Sequence, residues 1–416
     1  MKMVKNMTQI DKLIKELCPK GVEFKELGEV CEKIFAGGTP SSQNTVYYGG
    51  KIPWLRSGEI NFNKITNTAI KITEEGLNNS SAKWVPAFSV FIAMTGATVA
   101  RTAVNMIPLT ANQSCCCMVP KINILNYKFL YYILANRYIE LKNMGQGVLT
   151  SLNTARIKSI KIPLPPIPIQ EEIVKILDSF TELEVELEAE LKARKKQYEY
   201  YKDDLLTFGD DVEWKTIKDL FDFKNGLNKG KEFFGKGTPI INFTDVFKNH
   251  SLISTDIKGK VDVTPKEKLL YKAQKNDIFF TRTSETKDEI GMVCALLDNI
   301  EDCVFSGFVL RARPKTDLLN PKFCSYYLSS FIVRKEIIRN STFTTRALTS
   351  GPKLAKIQIP LPPLKKQERI VDILDKFDAL VNDISVGLPA ELEARRKQYE
   401  YYREKLLTFK EKSVSA

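Results

Sequence analysis

Residues 160–180 read IKIPLPPIPIQEEIVKILDSF, and residues 357–377 read IQIPLPPLKKQERIVDILDKF. A second pair is closer still: LKARKKQYEYYKDDLLTF at 191–208 against LEARRKQYEYYREKLLTF at 392–409. About two thirds of these aligned positions are identical, which over such lengths marks a tandem duplication. The segments beside them open alike as well, with VEFKELGEV from Val22 and VEWKTIKDL from Val212. The chain therefore divides into a short N-terminal helical segment (1–21), a first block (22–158), a helical segment (159–211), a second block (212–356) and a last helical segment (357–416). Beyond their edges the two blocks scarcely match. In a duplicated chain, parts kept alike do one shared job twice, and parts that diverge do two different jobs, such as recognising two targets. Neutral drift of the blocks is the alternative, but drift would also have reached the exposed faces of the helices.

Each repeated segment starts with PLPP. Proline neither continues a helix nor donates to a sheet, so this run marks an extended joint between block and helix. A helical pattern follows. In the first copy the apolar positions are Ile169, Ile173, Ile176, Phe180, Leu183, Leu187, Leu191, Tyr198, Tyr201 and Leu205. In the second they are Ile370, Ile373, Phe377, Leu380, Ile384, Leu388, Leu392, Tyr399, Tyr402 and Leu406. Alternating steps of three and four describe a coiled-coil seam, and the doubled step of four at Leu183–Leu187–Leu191 is a stutter. The second copy carries four extra residues in its middle, beside Gly387 and Pro389, where a kink or break is expected. About forty helical residues span roughly 60 Å, enough for a rigid antiparallel spacer. A dimerisation coiled coil is the plain alternative.

The formal net charge of +12 is unevenly placed. The blocks carry about +6 (22–158) and about +8 (212–356), against about −6 for 159–211 and about +1 for 357–416. Positive charge concentrated on the blocks is what contact with a polyanion requires, because Lys and Arg displace counterions from phosphate. The absence of a long apolar run argues against a membrane span, and Met1–Lys20 lacks the apolar core of a signal peptide. The eight cysteines include the run Cys115–Cys117 but no C-x-x-C pair, and His250 is the one histidine. That pattern predicts reduced, buried thiols rather than a metal site.

Enzyme motifs find little support. GKEFFGKG (230–237) has the glycines and Lys236 of a phosphate loop, but Gly237 stands where a magnesium-binding Ser or Thr belongs. There is no G-x-S-x-G or H-E-x-x-H, and His250, in a polar Lys-Asn-His-Ser stretch, reads as a solvated loop residue. No glycine-rich S-adenosylmethionine motif and no Asn/Asp-Pro-Pro-aromatic box appears. The blocks do hold Gly-rich polar loops with cations. In the first, AGGTPSSQNTVYYGGKIPWLRSGEI (36–60) offers Thr39, Ser41, Lys51, Arg56 and Ser57, with Arg101, Asn112 and Gln113 further on. In the second, GLNKGKEFFGKGTPIINFTDV (226–246) offers Lys229, Lys231, Asn242 and Thr244. The run TRTSETK adds Arg282, Thr283 and Lys287, and Arg346 follows Thr344 and Thr345. Guanidinium and amide groups suit guanine and adenine edges, and ammonium groups suit phosphate. These sixteen residues are the candidate DNA contacts.

The GGTPS loop with IPWLRSGEI, the IPLPP-x-QE-IV-ILD-F joint and the ARKKQYEYY…LLTF helix end together resemble the specificity subunit of type I restriction-modification enzymes. The resemblance spans essentially the whole chain. It implies an α+β fold with two target-recognition domains separated by two long antiparallel helices in a pseudo-twofold duplication. Each domain would read half of a bipartite site in double-stranded DNA, and the helices would set the spacer. The resemblance also implies docking of two methyltransferase subunits, for which Tyr198, Tyr200, Tyr201, Tyr399, Tyr401 and Tyr402 are candidates, and recruitment of restriction subunits. S-adenosylmethionine, ATP and magnesium would belong to those partners, not to this non-catalytic chain. The expected setting is the cytoplasm, at the nucleoid. The same resemblance implies that the last helix ends beside the entrance to the first block, next to the N-terminal helix. A stand-alone DNA-binding regulator spaced by a coiled coil, or a purely structural dimer, are the rival readings.

Overall fold

The computed structural model describes residues 2–144, 151–383 and 385–412. The chain forms two compact units, Met1–Leu187 with Leu392–Ala416, and Glu188–Glu391.

The first unit contains β1 (Phe24–Glu26), β2 (Cys31–Ala36), β3 (Tyr48–Leu55), β4 (Asn63–Ile65), β5 (Ile70–Ile72), β6 (Val90–Ala93), β7 (Thr102–Asn105), β8 (Thr110–Ala111), β9 (Cys115–Pro120) and β10 (Lys161–Pro163). They form a five-stranded sheet, β2-β9-β6-β7-β4, a three-stranded sheet, β5-β3-β8, and the pair β1-β10. Alternation along the inner strands explains their uninterrupted apolar sequence. Val90, Ile92, Cys116 and Met118 enter a core on one face, while Phe91, Ala93, Cys115 and Cys117 enter a core on the other. The cysteine run is thus strand interior. Burial pushes Cys31 and Cys116 up to about 12, so both thiols stay protonated at neutral pH.

The second unit contains β11 (Trp214–Thr216), β12 (Phe221–Asn225), β13 (Phe234–Ile241), β14 (Ser251–Leu252), β15 (Lys260–Val261), β16 (Ile278–Thr281), β17 (Thr283–Ser284), β18 (Val293–Leu296), β19 (Val304–Phe305), β20 (Val309–Pro314), β21 (Thr342–Phe343), β22 (Ala347–Leu348) and β23 (Gln358–Pro360). Its sheets run β12-β20-β16-β18-β14 and β15-β13-β19, with the pair β11-β23. This is the topology of the first unit strand for strand. Even the parallel pairs coincide: β14 with β18 as β4 with β7, and β13 with β19 as β3 with β8. A small sheet, β17-β22-β21, is added. Two blocks with little visible sequence similarity therefore share one fold. Segment 230–237 leads into β13, so it lacks the helix N-terminus that a phosphate loop needs.

Each block is fastened to its helix by the same buried lock. Gln170 is wholly buried, and its Nε2 donates to the carbonyls of Pro165 (2.7 Å) and Ile124 (2.9 Å). Its Oε1 accepts from the Asn126 backbone N–H at 2.8 Å. Gln367 repeats this with Pro362, Leu318 and Asn320 at 2.8, 2.9 and 2.8 Å. A carboxylate about two turns further along completes each joint. Asp178 accepts from Tyr132 Oη at 2.7 Å and pairs with Lys128. Asp375 accepts from Tyr326 Oη at 2.8 Å and pairs with Lys322 at 2.6 Å.

The helix Ile167–Leu205 has 39 residues and contributes side chains to the cores of both units. Ile169, Ile173, Ile176, Leu177 and Phe180 lie in the first unit's core, and Tyr198 lies in the second's. No residue from Thr181 to Gln197 is buried, and Leu183 is 37% exposed. Leu183 of the expected seam is thus exposed, while Leu187 is half-buried and Leu191 packs against the second unit's core. Within the first unit the last helix runs antiparallel to this one. Phe180 meets Tyr399 and Tyr402, with centroids 6.0 and 5.7 Å away, and Glu184 pairs with Arg396 at 2.6 Å. Within the second unit, Tyr198 and Tyr201 stack on Phe377. The last helical segment is broken as expected, into Leu364–Asn382 and Leu388–Leu407. Gly387 sits in the break, where a Cβ would lie 2.3 Å from the Ala379 carbonyl oxygen. Ile384 lies outside the described residues.

The two chain ends meet within the first unit. The Val22 N–H donates to the Lys410 carbonyl at 2.8 Å, and Lys412 N–H donates to the Val22 carbonyl at 2.9 Å. Ile10 of the N-terminal helix (Lys2–Leu17) is buried in the same core as Leu406 and Leu407.

Replacing Gln170 or Gln367 by Ala strips partners from one buried N–H and two carbonyls. Each variant should lose at least about 2 kcal/mol of stability. The two losses should be similar, read as separate shifts in urea unfolding. Unchanged midpoints would show that the lock is not structural.

Candidate nucleic-acid interface

In each domain four segments converge on one corner, held by matching backbone hydrogen bonds. In the first, Gly38 N–H donates to the Ala111 carbonyl (2.8 Å), Asn112 N–H to Leu55 (2.9 Å), and Met94 N–H to Ser114 (2.8 Å). In the second, Leu227 N–H donates to Phe305 (2.9 Å), Ser306 N–H to Ile241 (2.9 Å), and Arg282 N–H to Phe308 (2.9 Å). Glycine is required where the backbones close. A Cβ on Gly37 would lie 2.1 Å from the Ala111 oxygen, and one on Gly226 would lie 2.0 Å from the Ser306 oxygen.

On this shared scaffold the side chains differ. Thr39 takes the place of Asn228, Gln113 that of Gly307, Ser114 that of Phe308, and Met94 that of Arg282. In the first corner the Thr39 hydroxyl donates to Gln113 Oε1, and Gln113 is exposed. Asn112 Oδ1 accepts from the Cys115 thiol, which keeps it within the turn. In the second corner Asn228 Oδ1 occupies the space over Gly307, where a Cβ would lie 1.8 Å away. Arg282 Nη1 donates to the Gly307 carbonyl at 3.3 Å. Phe308 is left 56% exposed.

The remaining candidates divide by how much of their chemistry is free for a ligand. Ser41, Lys51, Lys231, Thr244, Lys287 and Arg346 are exposed. Lys287 lies over the Phe343 ring at 5.3 Å, and Thr283 pairs with Leu348 beside Arg346. These residues sit on or beside the small sheet β17-β22-β21, which joins the second corner where Thr349 N–H donates to the Arg282 carbonyl. Arg56 is exposed, 4.0 Å from Glu59, and Arg101 donates to Asn61 at 2.9 Å. Ser57 accepts the Thr98 hydroxyl through its carbonyl. Asn242 begins a helical turn closed by Asp245. Lys229 is engaged inside its domain, paired with Glu267 at 2.9 Å and lying over Phe233. Hydrogen bonds from Thr264 and Lys229 hold the Glu267 carboxyl down at about 2.

The sequence reading picked out Gln113 and Arg282 but missed Asn228, Ser114 and Phe308. The glycine shared by GGTP and GLNK was the available signal, since it aligns the two corners. A wide cleft in the first unit, about 900 Å³, is lined by Tyr127, Tyr131, Tyr138, Glu182 and Glu186. Lys64, Lys128 and Arg403 also line it, against Asp178, Glu182, Glu184 and Glu186, so it offers no excess of positive charge for phosphate.

Of the six tyrosines, Tyr198 is buried, and Tyr201, Tyr399 and Tyr402 pack on Phe377 or Phe180. Tyr200 and Tyr401 stand 68% and 62% exposed.

His250 is not the solvated loop residue expected. Its ring packs on Tyr326 with centroids 5.3 Å apart, and its buried Nδ1 has no hydrogen-bond partner. Burial lowers its pKa below the usual histidine value; Asp378, Glu199 and Asp375 oppose that shift and Lys202 adds to it. The folded state therefore favours the neutral ring. Stability of the second unit should be full above about pH 7 and fall as pH drops below about 6.5, towards the lowered folded pKa. H250Q should remove this one-proton component from unfolding midpoints measured between pH 7.5 and 5.5. Identical pH slopes for both proteins would contradict the assignment.

The family model of the type I restriction modification DNA specificity domain matches residues 19–195 and again 209–394. The chain is 37% identical over 302 residues to the EcoR124I/EcoR124II specificity subunit of Escherichia coli, covering 68% of this chain and 70% of that one. It is 23% identical over 412 residues to the MjaIX specificity subunit of Methanocaldococcus jannaschii, covering 91% and 88%. Among solved structures, the HsdS subunit of Thermoanaerobacter tengcongensis matches with a TM-score of 0.56 at 17% identity, over 94% of this chain and 96% of that one. A chain from a type I R-M system solved for its assembly and conformational transition matches with a TM-score of 0.63, also at 17% identity, over 94% and 98%.

Proposed function

This chain belongs to the type I restriction-modification DNA specificity family, and from that premise we propose that it is the DNA-reading subunit of such a complex, each recognition domain reading half of a bipartite site. The observation that carries the reading is one strand order built twice, with unlike side chains at the same corner. One scaffold offering two sets of polar, apolar and cationic groups suits two different base sequences. Lys51, Lys231, Lys287 and Arg346 supply the sequence-independent phosphate term. In this reading the chain catalyses nothing, and S-adenosylmethionine, ATP and magnesium act in methyltransferase and restriction partners. Exposed Tyr200 and Tyr401 are the docking candidates for two methyltransferase subunits, since tyrosine is enriched at interface hot spots. Family membership counts against a stand-alone regulator.

Co-expression with the methyltransferase encoded beside it, followed by methylome sequencing, tests this directly. A bipartite adenine-methylated motif that disappears when the chain is deleted is expected. No motif and no complex with the methyltransferase would overturn the reading.

The long helix acts in this scheme as a ruler, supported by its side chains in the cores of both units. Deleting Leu183–Glu186 removes about 6 Å of helix, nearly two base pairs at about 3.4 Å each. The recognised spacer should shorten by one or two base pairs while both half-sites stay the same. An unchanged spacing would rule the ruler out.

The double variant Y200A/Y401A should weaken co-purification with the methyltransferase at least ten-fold. Undiminished capture would remove both residues from the docking surface.

A further inference from the structure

We propose that the second recognition domain reads a thymine through the phenyl ring of Phe308, whereas the first reads its half-site at the equivalent place through the Gln113 amide; this inference rests on the DNA-reading function above. The two corners present the same turn on the same three backbone hydrogen bonds, so each turn occupies the same place in its own domain. The difference is in what each turn displays. In the first, the side chain at the turn's centre is an amide, braced by the Thr39 hydroxyl through its oxygen. That contact engages the amide oxygen, and the residue is exposed.

In the second, the centre is Gly307, which has no side chain to read with. The space is closed from one side by the Asn228 amide and from the other by the Arg282 guanidinium, which donates to the Gly307 carbonyl. A turn clamped on both sides cannot retract its next residue, and that residue is Phe308, 56% exposed. Its neighbours bear on what it meets. Lys287 and Arg346 are exposed on the adjoining small sheet. An apolar ring held out among cations fits a ligand that combines phosphate with an apolar group. In the DNA major groove the apolar group is the thymine 5-methyl, which phenylalanine contacts directly. An amide at the same place instead makes hydrogen bonds, with adenine N6 and N7 as its bidentate partner.

The test uses the full chain in complex with its methyltransferase. The methylome of the wild-type complex first fixes the two half-sites. Duplexes are then made in which each thymine of the second half-site is replaced by uracil, which lacks only the methyl group. At one position the wild-type complex should lose affinity about three- to ten-fold, and the F308A complex should show no loss there. F308L, which keeps an apolar reach, should retain the sensitivity. Q113A should relax one position of the first half-site and leave the uracil effect intact. Phe308 is exposed, so its variants should assemble normally, and co-purification with the methyltransferase checks this. A second half-site without an A·T pair would overturn the proposal. So would uracil tolerance at every thymine, or sensitivity that persists in F308A. A wild-type complex that yields no motif would instead overturn the DNA-reading function, and this inference with it.

Discussion

Gln170 and Gln367 hold the architecture together, because each ties three parts of its repeat that nothing else joins so closely. One amide takes the carbonyl of the PLPP run, the carbonyl that precedes a helix of the recognition domain, and the N–H that caps that helix. The prolines before it cannot donate hydrogen bonds, so their carbonyls turn inward and need a donor. Glutamine is the residue that supplies two donors and an acceptor without charge, so it can be buried without the desolvation penalty of an ion. About two turns further on, an aspartate receives a tyrosine hydroxyl and a lysine from the same helix of the recognition domain. The direction in which each recognition domain leaves its helix is set within these few residues. The lock explains why the joint is nearly identical in the two copies while the domains it carries are not.

Much of this was legible in the sequence, because the repeated joint and helix end are read by identity rather than by propensity. The break near Gly387 was legible too, because glycine and proline act on the backbone alone. The exposure of Leu183 was not. Steps of three and four place Leu183 on the apolar stripe, but whether a stripe is covered depends on what lies opposite, and periodicity does not contain that. His250 misled for a related reason. Its neighbours in sequence are polar, while its neighbour in space is Tyr326, some seventy residues away.

The common fold of the two blocks was the least legible feature. A sheet with a core on each face needs only apolar residues of suitable size along its inner strands, so Val90–Ala93 and Ile278–Thr281 perform the same role with one identity, Phe91 and Phe279, between them. What the strands do require in common is a few backbone positions. Gly37 and Gly226 are such positions, and they align the corners that the rest of the sequence conceals. Gln113 and Phe308 at those corners are exposed, so neither periodicity nor burial singles them out.

The meeting of the chain ends extends the same logic. In the second repeat, helix end and recognition domain are joined by continuous chain through Gly209–Glu213. In the first, Lys410–Lys412 pairs with Val22 to build the equivalent passage from two separate segments. Gly21, at φ +98°, allows that approach, since a Cβ there would lie 2.8 Å from the Lys410 oxygen. Leu164 N–H then donates to the Glu23 carbonyl as Leu361 N–H does to Glu213, both at 2.8 Å. A duplicated chain has one junction fewer than it has repeats, and these backbone bonds replace the missing covalent one. Both recognition domains thereby receive the same support, while their corners and the added sheet of the second carry the differences between them.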